Sequence, residues 1–312
     1  MQFSNAFPDR LAAQVRATGS AVCVGLDPRR QQLPAGLQPA ASASPREWAS
    51  RYRTFCCGVI DAVAGQVPIV KPQAAFFEQL GPAGMEALHH VIQHALQADL
   101  LVVLDGKRND IGSTAEAYAD AYLGRGGLSI WGSDSLTVSP YLGADSLDPF
   151  IQCCDERQAG IFVLVKTSNP GGGFLQDRLS HAGSADEGSV YQAVAELIKQ
   201  QNASRCGTSG YGPIGAVVGA TYPDQLADLR RRMPNAWILI PGFGAQGGGA
   251  EDVAAGFDEH GLGAIVNSSR HLIFAHQRPP FQQRFGAPRW QEAVAAATAE
   301  MNAQLRSVVG GS

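Results

Sequence analysis

The chain has 312 residues, of which 45% are hydrophobic and 17% are charged, and its formal net charge is −4. Such a chain can bury a large core as one α/β domain or as two smaller ones, and we favour a single domain over 1–312. No run of basic residues is longer than the three arginines at 230–232. Nothing therefore favours nucleic acid or an anionic membrane as a partner, and we expect a small molecule instead.

The cysteines and the N-terminal residues indicate the cellular compartment in which the protein is expected. The six cysteines include the adjacent pairs Cys56-Cys57 and Cys153-Cys154, but no C-x-x-C motif and no ligand-like spacing to the seven histidines. Neither a disulfide framework nor a zinc site is expected, which indicates a reducing compartment. The first ten residues lack the basic and apolar regions of a secretory signal, and no segment has the apolar length of a membrane span. We therefore expect a cytoplasmic protein.

In chain order, short apolar strands alternate with helical patterns. A loop rich in Pro, Ala and Ser covers 29–45, and the longest irregular stretch, 171–188, has the length of a lid or a disordered loop. Ser113 and Glu116 have the spacing of a capping box that would begin a helix at 114. The predicted strands are 20–26, 67–70, 100–104, 135–139, 160–165, 214–219, 236–240 and 263–266. The predicted helices are 9–17, 46–64, 84–98, 114–123, 147–154, 189–201 and 222–232.

Eight strands that alternate with helices, without a break in composition, predict a (β/α)8 TIM barrel with its core at about 20–275 and a C-terminal extension at 276–312. The alternative is a doubly wound open sheet. Polar residues stand at the C-terminal ends of nearly all eight predicted strands. In a barrel these ends form one ring around one site, so the pattern favours the barrel over the open sheet. The polar residues are Asp27, Lys71, Asp105, Ser139, Ser168, Thr221, Gln246 and Arg270.

A cluster of charges begins where the third strand is predicted to end in a polar loop. Residues two apart on an extended chain point to the same side, so Asp105 and Lys107 should share a face, and a short turn could bring Asp110 near them. A lysine between carboxylates is held as an ammonium ion, which can donate a proton or stabilise an anion but is a poor nucleophile. In isolation such a motif is more often a solvated loop of mixed charge, but its position in the barrel favours a catalytic cluster.

The loops after the last two strands have the features of a phosphate site. The glycines between 242 and 249 allow backbone N–H groups to approach an anion, and the helix that follows adds positive dipole character. The guanidinium group of Arg270 is a cation that can donate two parallel hydrogen bonds to the same anion. A glycine cluster alone more often marks a flexible turn, but phosphate sites after strands seven and eight recur in TIM barrels.

Two more lysines directly follow predicted strands. Lys71, taken alone, fits a surface position as well as a site. Lys166 could be the Schiff-base lysine of an aldolase, which would need a pKa lowered by desolvation or by cationic neighbours. Because no sequence feature marks Lys166 as a base, we expect it to be structural.

Together these residues resemble the orotidine 5′-phosphate decarboxylase family, particularly its longer bacterial branch, from position 27 to position 270. The family motif D-x-K-x-x-D is matched by Asp105, Lys107 and Asp110, and the family's lysine at the end of strand two is matched by Lys71. The loops after strands one and five and the tail after 270 depart from the family pattern. The resemblance assigns substrate contacts to Asp27 for the sugar, Thr114 for the ribose in the neighbouring subunit's site, Ser168 for the pyrimidine, and Gln246, Gly247, Ser269 and Arg270 for the phosphate.

The resemblance implies decarboxylation of orotidine 5′-monophosphate to uridine 5′-monophosphate, the last step of de novo pyrimidine nucleotide synthesis. No metal or other cofactor is implied. Lys107 would stabilise the C6 carbanion and then protonate it, and Asp105 would lie against the substrate carboxylate. The protein would be a homodimer in which Asp110 and Thr114 complete the partner's site.

Three other functions remain open. A sugar-phosphate decarboxylase or hexulose-phosphate synthase of the same superfamily also carries D-x-K-x-x-D, but it resembles a magnesium enzyme with an acidic ligand after strand two, where this chain has Lys71. A Schiff-base aldolase would depend on Lys166. A non-catalytic phosphate-binding barrel is disfavoured, because unpaired carboxylates so close together are costly without a purpose.

Overall fold

The computed structural model describes residues 6–180, 188–244 and 249–309, and its parallel strands form one closed barrel. Each strand pairs with its neighbours in chain order, and β1 pairs with β8 to close the ring. The predicted (β/α)8 barrel is thus confirmed. The strands are β1 (Val22–Leu26), β2 (Ile69–Pro72), β3 (Leu101–Arg108), β4 (Ser135–Val138), β5 (Gly160–Lys166), β6 (Ile214–Val218), β7 (Ile238–Pro241) and β8 (Ala264–Ser268).

The α-helices are α1 (Phe7–Thr18), α2 (Pro45–Val63), α3 (Ala74–Glu78), α4 (Pro82–Gln97), α5 (Gly112–Tyr122), α6 (Asp148–Arg157), α7 (Gly173–Gln176), α8 (Val190–Asn202), α9 (Pro223–Arg232), α10 (Ala250–Ala254), α11 (Arg270–Ile273), α12 (Phe281–Arg284) and α13 (Trp290–Val309). Short 3-10 helices occur at Arg30–Gln32, Ala35–Leu37, Ala144–Leu147, Pro170–Gly172 and Ala275–Gln277. After β5, the two-residue strands Leu179–Ser180 and Gly188–Ser189 pair antiparallel, so part of the predicted irregular stretch is ordered.

The start of α5 differs from the prediction. The helix begins at Gly112, and its N-cap residue Ile111 makes no side-chain cap hydrogen bond. Ser113 and Glu116 therefore lie inside the helix, and the predicted capping box is wrong. Gly112 has a φ of 51°, a backbone conformation that favours glycine, so the chain turns into the helix earlier than the Ser and Glu spacing indicated.

The strands separate two apolar layers. On β1, Val22 and Val24 pack with the surrounding helices, whereas Cys23 between them belongs to the cluster inside the barrel. Helix α1 closes the N-terminal end of that interior, because Phe7 and Leu11 are buried in the same cluster. Successive strand residues thus face the helices and the interior in turn.

The C-terminal part of the chain packs on the barrel. Helix α13 contacts α2 and β1, and it buries Val294, Met301 and Leu305 on one face. At its start, the Trp290 ring lies 5.0 Å from the ring of Phe55 on α2. Helix α13 thus lies in the predicted extension after 275 and packs on the outer side of the barrel next to β1, whereas the boundary itself stays a prediction.

Two observations relate to the expected compartment. None of the helices in the described parts of the chain combines the length and the apolar character needed to cross a bilayer. All six cysteines are free thiols.

Candidate active site

Strand β3 continues beyond its predicted end and carries the charged motif. The pairing of β3 with β4 shifts register between Leu104 and Arg108, which indicates a bulge. Within it Lys107 has a φ of 45°, in the left-handed region that non-glycine residues rarely adopt. Its backbone N–H donates to the side-chain Oγ1 of Thr137 on β4 at 2.9 Å. Asp105 and Lys107 are thus held by a strand with a local distortion, and only Asp110 lies in the loop that follows.

The carboxylate of Asp105 is the centre of the site and accepts four hydrogen bonds. Its Oδ1 accepts from Lys107 Nζ at 2.6 Å and from Thr137 Oγ1 at 2.9 Å. Its Oδ2 accepts from Lys71 Nζ at 2.6 Å and from Gln73 Nε2 at 2.9 Å. Each oxygen therefore has two donors, which fills the usual acceptor capacity of a carboxylate.

Burial and charge act in opposite directions on this cluster. Asp105 and Lys71 are buried, whereas the Lys107 side chain is 48% exposed. Burial alone would raise the pKa of the Asp105 carboxyl, but the ammonium groups of Lys71 and Lys107 outweigh it and hold that pKa well below its ordinary value. Burial likewise disfavours the charge on Lys71, yet the carboxylates of Asp105 and Asp27 hold the pKa of Lys71 above its ordinary value. The buried pair is therefore charged at neutral pH.

A cavity of about 220 Å³ opens beside this cluster at the C-terminal ends of the strands. Lys71, Asp105 and Lys107 line it, together with Ser168 from the loop after β5. Its apolar lining is formed by Leu164, Val217, Leu239 and Pro241, and its remaining lining residues are the polar Thr137, Thr167 and Asn169. The cavity can therefore hold a compact, largely apolar ring that carries a charged substituent.

Ser168 reaches the cavity because the residue directly after β6 is a glycine. A Cβ atom at Gly219 would stand 2.8 Å from the Cβ of Ser168 and 2.9 Å from its backbone nitrogen. No side chain fits there, so Gly219 allows the loop after β5 to lie close to the end of β6.

Asp27 and Ser269 lie where β1 and β8 close the barrel. One carboxylate oxygen of Asp27, Oδ1, is buried and has no hydrogen-bond partner in the described part of the chain. A Cβ atom at Gly25 would stand 1.9 Å from the Ser269 Oγ, so glycine is needed for Ser269 to approach β1. Both residues follow strands at the same end of the barrel as the charged cluster.

The predicted phosphate site is described only in part. Arg270 is exposed at the start of α11, and its side chain has no hydrogen bond or ion pair within residues 6–180, 188–244 and 249–309. Gln246 and Gly247 lie outside the described residues. The assignment of these three residues to a phosphate therefore stays a prediction.

Asp110 and Thr114 do not join the cluster within one chain. The Asp110 Oδ1 accepts a hydrogen bond from the backbone N–H of Ile111 at 2.9 Å, and Asp110 forms no described ion pair with Lys107. Thr114 is exposed on α5. The described residues of one subunit thus show no hydrogen bond or ion pair between Asp110 and Lys107, and a place for Asp110 near the cluster stays a prediction.

Two residues that the sequence analysis did not select contact Asp105 directly. Gln73 lies two residues after Lys71 and forms an isolated parallel bridge with Asp105. Thr137 lies between Leu136 and Val138, which pack with the outer helices, so strand alternation directs Thr137 inward. The same alternation in the sequence indicates Thr137, whereas Ser139 at the end of the predicted strand does not line the cavity.

Lys166 has the structural surroundings expected for it. Its side chain is 2% exposed, and Nζ lies 2.5 Å from the Asp177 carboxylate in the segment after β5. The ammonium group also lies 5.1 Å from the ring centroid of Tyr222. Lys166 therefore fixes the loop after β5 to the barrel and does not line the cavity.

A closed parallel barrel with a charged cluster and a cavity at the C-terminal ends of its strands has the architecture of a TIM-barrel enzyme. The model of the orotidine 5′-phosphate decarboxylase / HUMPS family matches residues 20–279. An orotidine 5′-phosphate decarboxylase of Rhodopirellula baltica is 60% identical over 303 residues, which are 96% of this chain and 99% of the relative. The chain therefore belongs to the orotidine 5′-phosphate decarboxylase family, and like its decarboxylase relatives it is a carboxy-lyase.

Solved structures agree with this membership. The OMP decarboxylase of Leishmania donovani superposes with a TM-score of 0.74 at 31% identity, over 98% of this chain and all of the other. The UMP synthase of the same organism gives a TM-score of 0.75 at 33% identity, over 97% of this chain and 56% of the synthase.

Proposed function

We propose that this protein decarboxylates orotidine 5′-monophosphate to uridine 5′-monophosphate, the last step of de novo pyrimidine nucleotide synthesis. The observation that carries the proposal is the Asp105 carboxylate held between Lys71 and Lys107 at the wall of a partly apolar cavity. Family membership and the likeness to a UMP synthase support the same substrate and product.

The cluster suits a reaction that creates a carbanion. In the proposed complex the pyrimidine ring lies on the apolar lining, and its C6 carboxylate lies against Asp105. The bond between C6 and the carboxyl carbon breaks, carbon dioxide leaves, and the electron pair stays on C6. The Lys107 ammonium stabilises that pair, donates a proton to C6 and regains one from solvent.

The four hydrogen bonds that the Asp105 carboxylate accepts determine its role in the proposed reaction. Both of its oxygens already accept two hydrogen bonds, so the carboxylate is a poor acceptor for a further proton. We therefore assign to Asp105 the positioning of Lys107 and a fixed negative charge beside the substrate carboxylate.

The remaining substrate contacts follow the chemistry of the described side chains. The unpartnered oxygen of Asp27 can accept a hydrogen bond from a ribose hydroxyl, and Ser168 can contact the pyrimidine at the cavity wall. Ser269 and Arg270, together with Gln246 and Gly247, would hold the phosphate. Phosphate binding far from C6 can be used to hold the base in place and so raise the rate of the chemical step.

We further infer that the active form is a homodimer in which Asp110 and Thr114 complete the partner's site. Two facts support a second subunit next to the loops after β3 and β4. Asp110 makes no described bond to the cluster of its own chain, and large apolar side chains on these loops are exposed. Ile111 after β3 is 57% exposed, and Tyr141 and Leu142 after the adjacent β4 are 72% and 47% exposed. Such side chains on neighbouring loops suit a contact between subunits.

The reaction as proposed uses no metal or organic cofactor, because an ammonium group supplies positive charge where the carbanion forms. The residue after strand two, which would be an acidic metal ligand in the magnesium branch of the superfamily, is Lys71, and its Nζ is bonded to Asp105. We also propose a cytoplasmic location, from the free cysteines and the pathway.

An ultraviolet assay with orotidine 5′-monophosphate in excess chelator tests the function. Full activity in chelator is expected. Activity that is lost in chelator and restored by magnesium would move the protein to the sugar-phosphate branch, and an inactive protein that still binds the nucleotide would favour a binding module.

A further inference from the structure

The hydroxyl group of Thr137 links the two residues of the β3 motif. It accepts the backbone N–H of Lys107 at 2.9 Å and donates to Asp105 Oδ1 at 2.9 Å. The same Oδ1 accepts from Lys107 Nζ at 2.6 Å. Thr137 therefore bonds directly to the backbone of Lys107. It is linked to the Lys107 ammonium group only through the Asp105 carboxylate, which both groups contact.

The backbone of Lys107 requires such a partner. Its φ of 45° lies in the left-handed region, which is unfavourable for a residue with a Cβ atom. The β3–β4 register shifts around it, and its N–H donates to the side-chain oxygen of Thr137 on β4. Without the Thr137 oxygen, this partly buried donor would lose its described acceptor, and the strained conformation would lose one of its supports.

The direction of the two hydrogen bonds is fixed. Because the Lys107 N–H can only donate, the Thr137 oxygen must accept there, and its single proton is left for Asp105. Thr137 is 1% exposed, and the χ1 angle of a β-branched residue has few choices. The hydroxyl is therefore a rigid link between strands β3 and β4.

We propose that Thr137 is a positioning residue for the decarboxylation. It acts through Lys107 and Asp105 by fixing where the Lys107 ammonium stands relative to the reacting carbon. This inference rests on the proposed function and adds a residue to it. A displacement of about 1 Å in a reacting group can cost on the order of 100-fold in rate, so loss of the hydroxyl should lower turnover more than binding.

The test compares Thr137→Val, which removes the hydroxyl at nearly constant shape, with Thr137→Ser, which keeps it. Thr298→Val is the matched control, because Thr298 is also buried and donates to the Val294 carbonyl within α13. We expect Thr137→Val to lower kcat at least roughly tenfold with KM changed less than about threefold. Thr137→Ser should recover most of the loss, and Thr298→Val should retain wild-type kcat.

Several outcomes would overturn the proposal. They are an unchanged kcat in Thr137→Val, equal losses in the Val and Ser variants, or a loss confined to KM. If Thr137→Val does not fold, Thr137→Ala measured against Thr137→Ser makes the same comparison, with uridine 5′-monophosphate binding by calorimetry as the check of an intact site. An inactive wild-type protein would instead refute the proposed function, so the two failures are distinguishable.

Discussion

Asp105 is a buried carboxylate with more positive than negative charge around it. Two ammonium groups and two neutral donors share its oxygens, and the ammonium groups keep its pKa low despite burial. An ion held this way has little freedom to reorganise when a substrate arrives. Catalytic groups that are oriented before binding need not be rearranged during the reaction, which is a main source of electrostatic catalysis.

Lys107→Ala is expected to abolish turnover while nucleotide binding persists, because the proposed phosphate and ribose contacts lie elsewhere. The loss in kcat should exceed about 100-fold, the lower range for removal of a proton donor. Steady-state assays and calorimetry with uridine 5′-monophosphate measure the two effects. Lys199→Ala, which removes an exposed lysine paired with Glu196 on α8, should change neither. A Lys107→Ala protein that keeps more than about a hundredth of wild-type kcat would contradict the proton-donor role.

The sequence analysis predicted part of this cluster correctly. The rule that residues two apart on a strand share a side placed Asp105 beside Lys107, and their 2.6 Å contact confirms it. Gln73 and Thr137 were missed because their contacts depend on the register between neighbouring strands. A single sequence shows which side of a strand a residue occupies, but not which atom of the next strand lies opposite.

Among the secondary-structure elements, the region before β4 is held by a buried acid. Asp134 is fully buried, and its carboxylate accepts from Arg125 in the loop after α5, from Arg10 on α1 and from the backbone N–H of Val102 on β3. One carboxylate therefore connects a strand, a loop and the helix that closes the barrel interior.

Asp134→Ala is expected to lower the free energy of unfolding by about 3 kcal/mol, the lower end for breaking a buried ion pair, because both arginines are partly exposed and can be hydrated again. Urea denaturation measures the change. Asp120→Ala is the control, because Asp120 forms a solvent-exposed pair with Arg157 and its loss should cost less than about 1 kcal/mol. Equal effects of the two substitutions would show that the Asp134 contacts do not support the fold.

The order of strands and helices was predictable because each barrel strand is a short apolar run and each main helix has a continuous pattern. The ends were less predictable: β3 extends to Arg108 because Asp105 and Lys107 find partners on β2 and β4. Helix α13 was assigned only to an extension, although Val294, Met301 and Leu305 lie on one helical face. The spacing of these residues was present in the sequence, but the surface that they cover is known only from the fold.

At the level of the assembled protein, the proposed dimer makes a quantitative prediction. Mixing Lys107→Ala with Asp110→Ala should restore activity, because one site of each mixed dimer receives Lys107 from its own chain and Asp110 from its partner. With random exchange about half the dimers are mixed and one of their two sites is whole, so roughly a quarter of wild-type activity should return in an isologous dimer. Activity is assayed after native mass spectrometry has verified subunit exchange.

The control mixture is Lys107→Ala with Asp105→Asn. Both residues belong to the same chain's cluster, so no site in a mixed dimer is whole and no activity should return. Verified exchange without recovery in the first mixture, or a stable active monomer in gel filtration, would refute the shared site.

The packing of α1 also constrains the order in which the chain can fold during synthesis. Phe7 and Leu11 leave the ribosome early, but the interior cluster that buries them includes Trp237 on the segment leading into β7 and Ile265 on β8. The backbone N–H groups that donate to Asp9 belong to residues 208 and 209, about two thirds along the chain. Contacts between such distant positions form late, because the intervening chain must first be made and closed into a loop. The apolar face of α1 therefore lacks part of its native partners until late in translation, and the interior cluster is completed only when the last strands emerge.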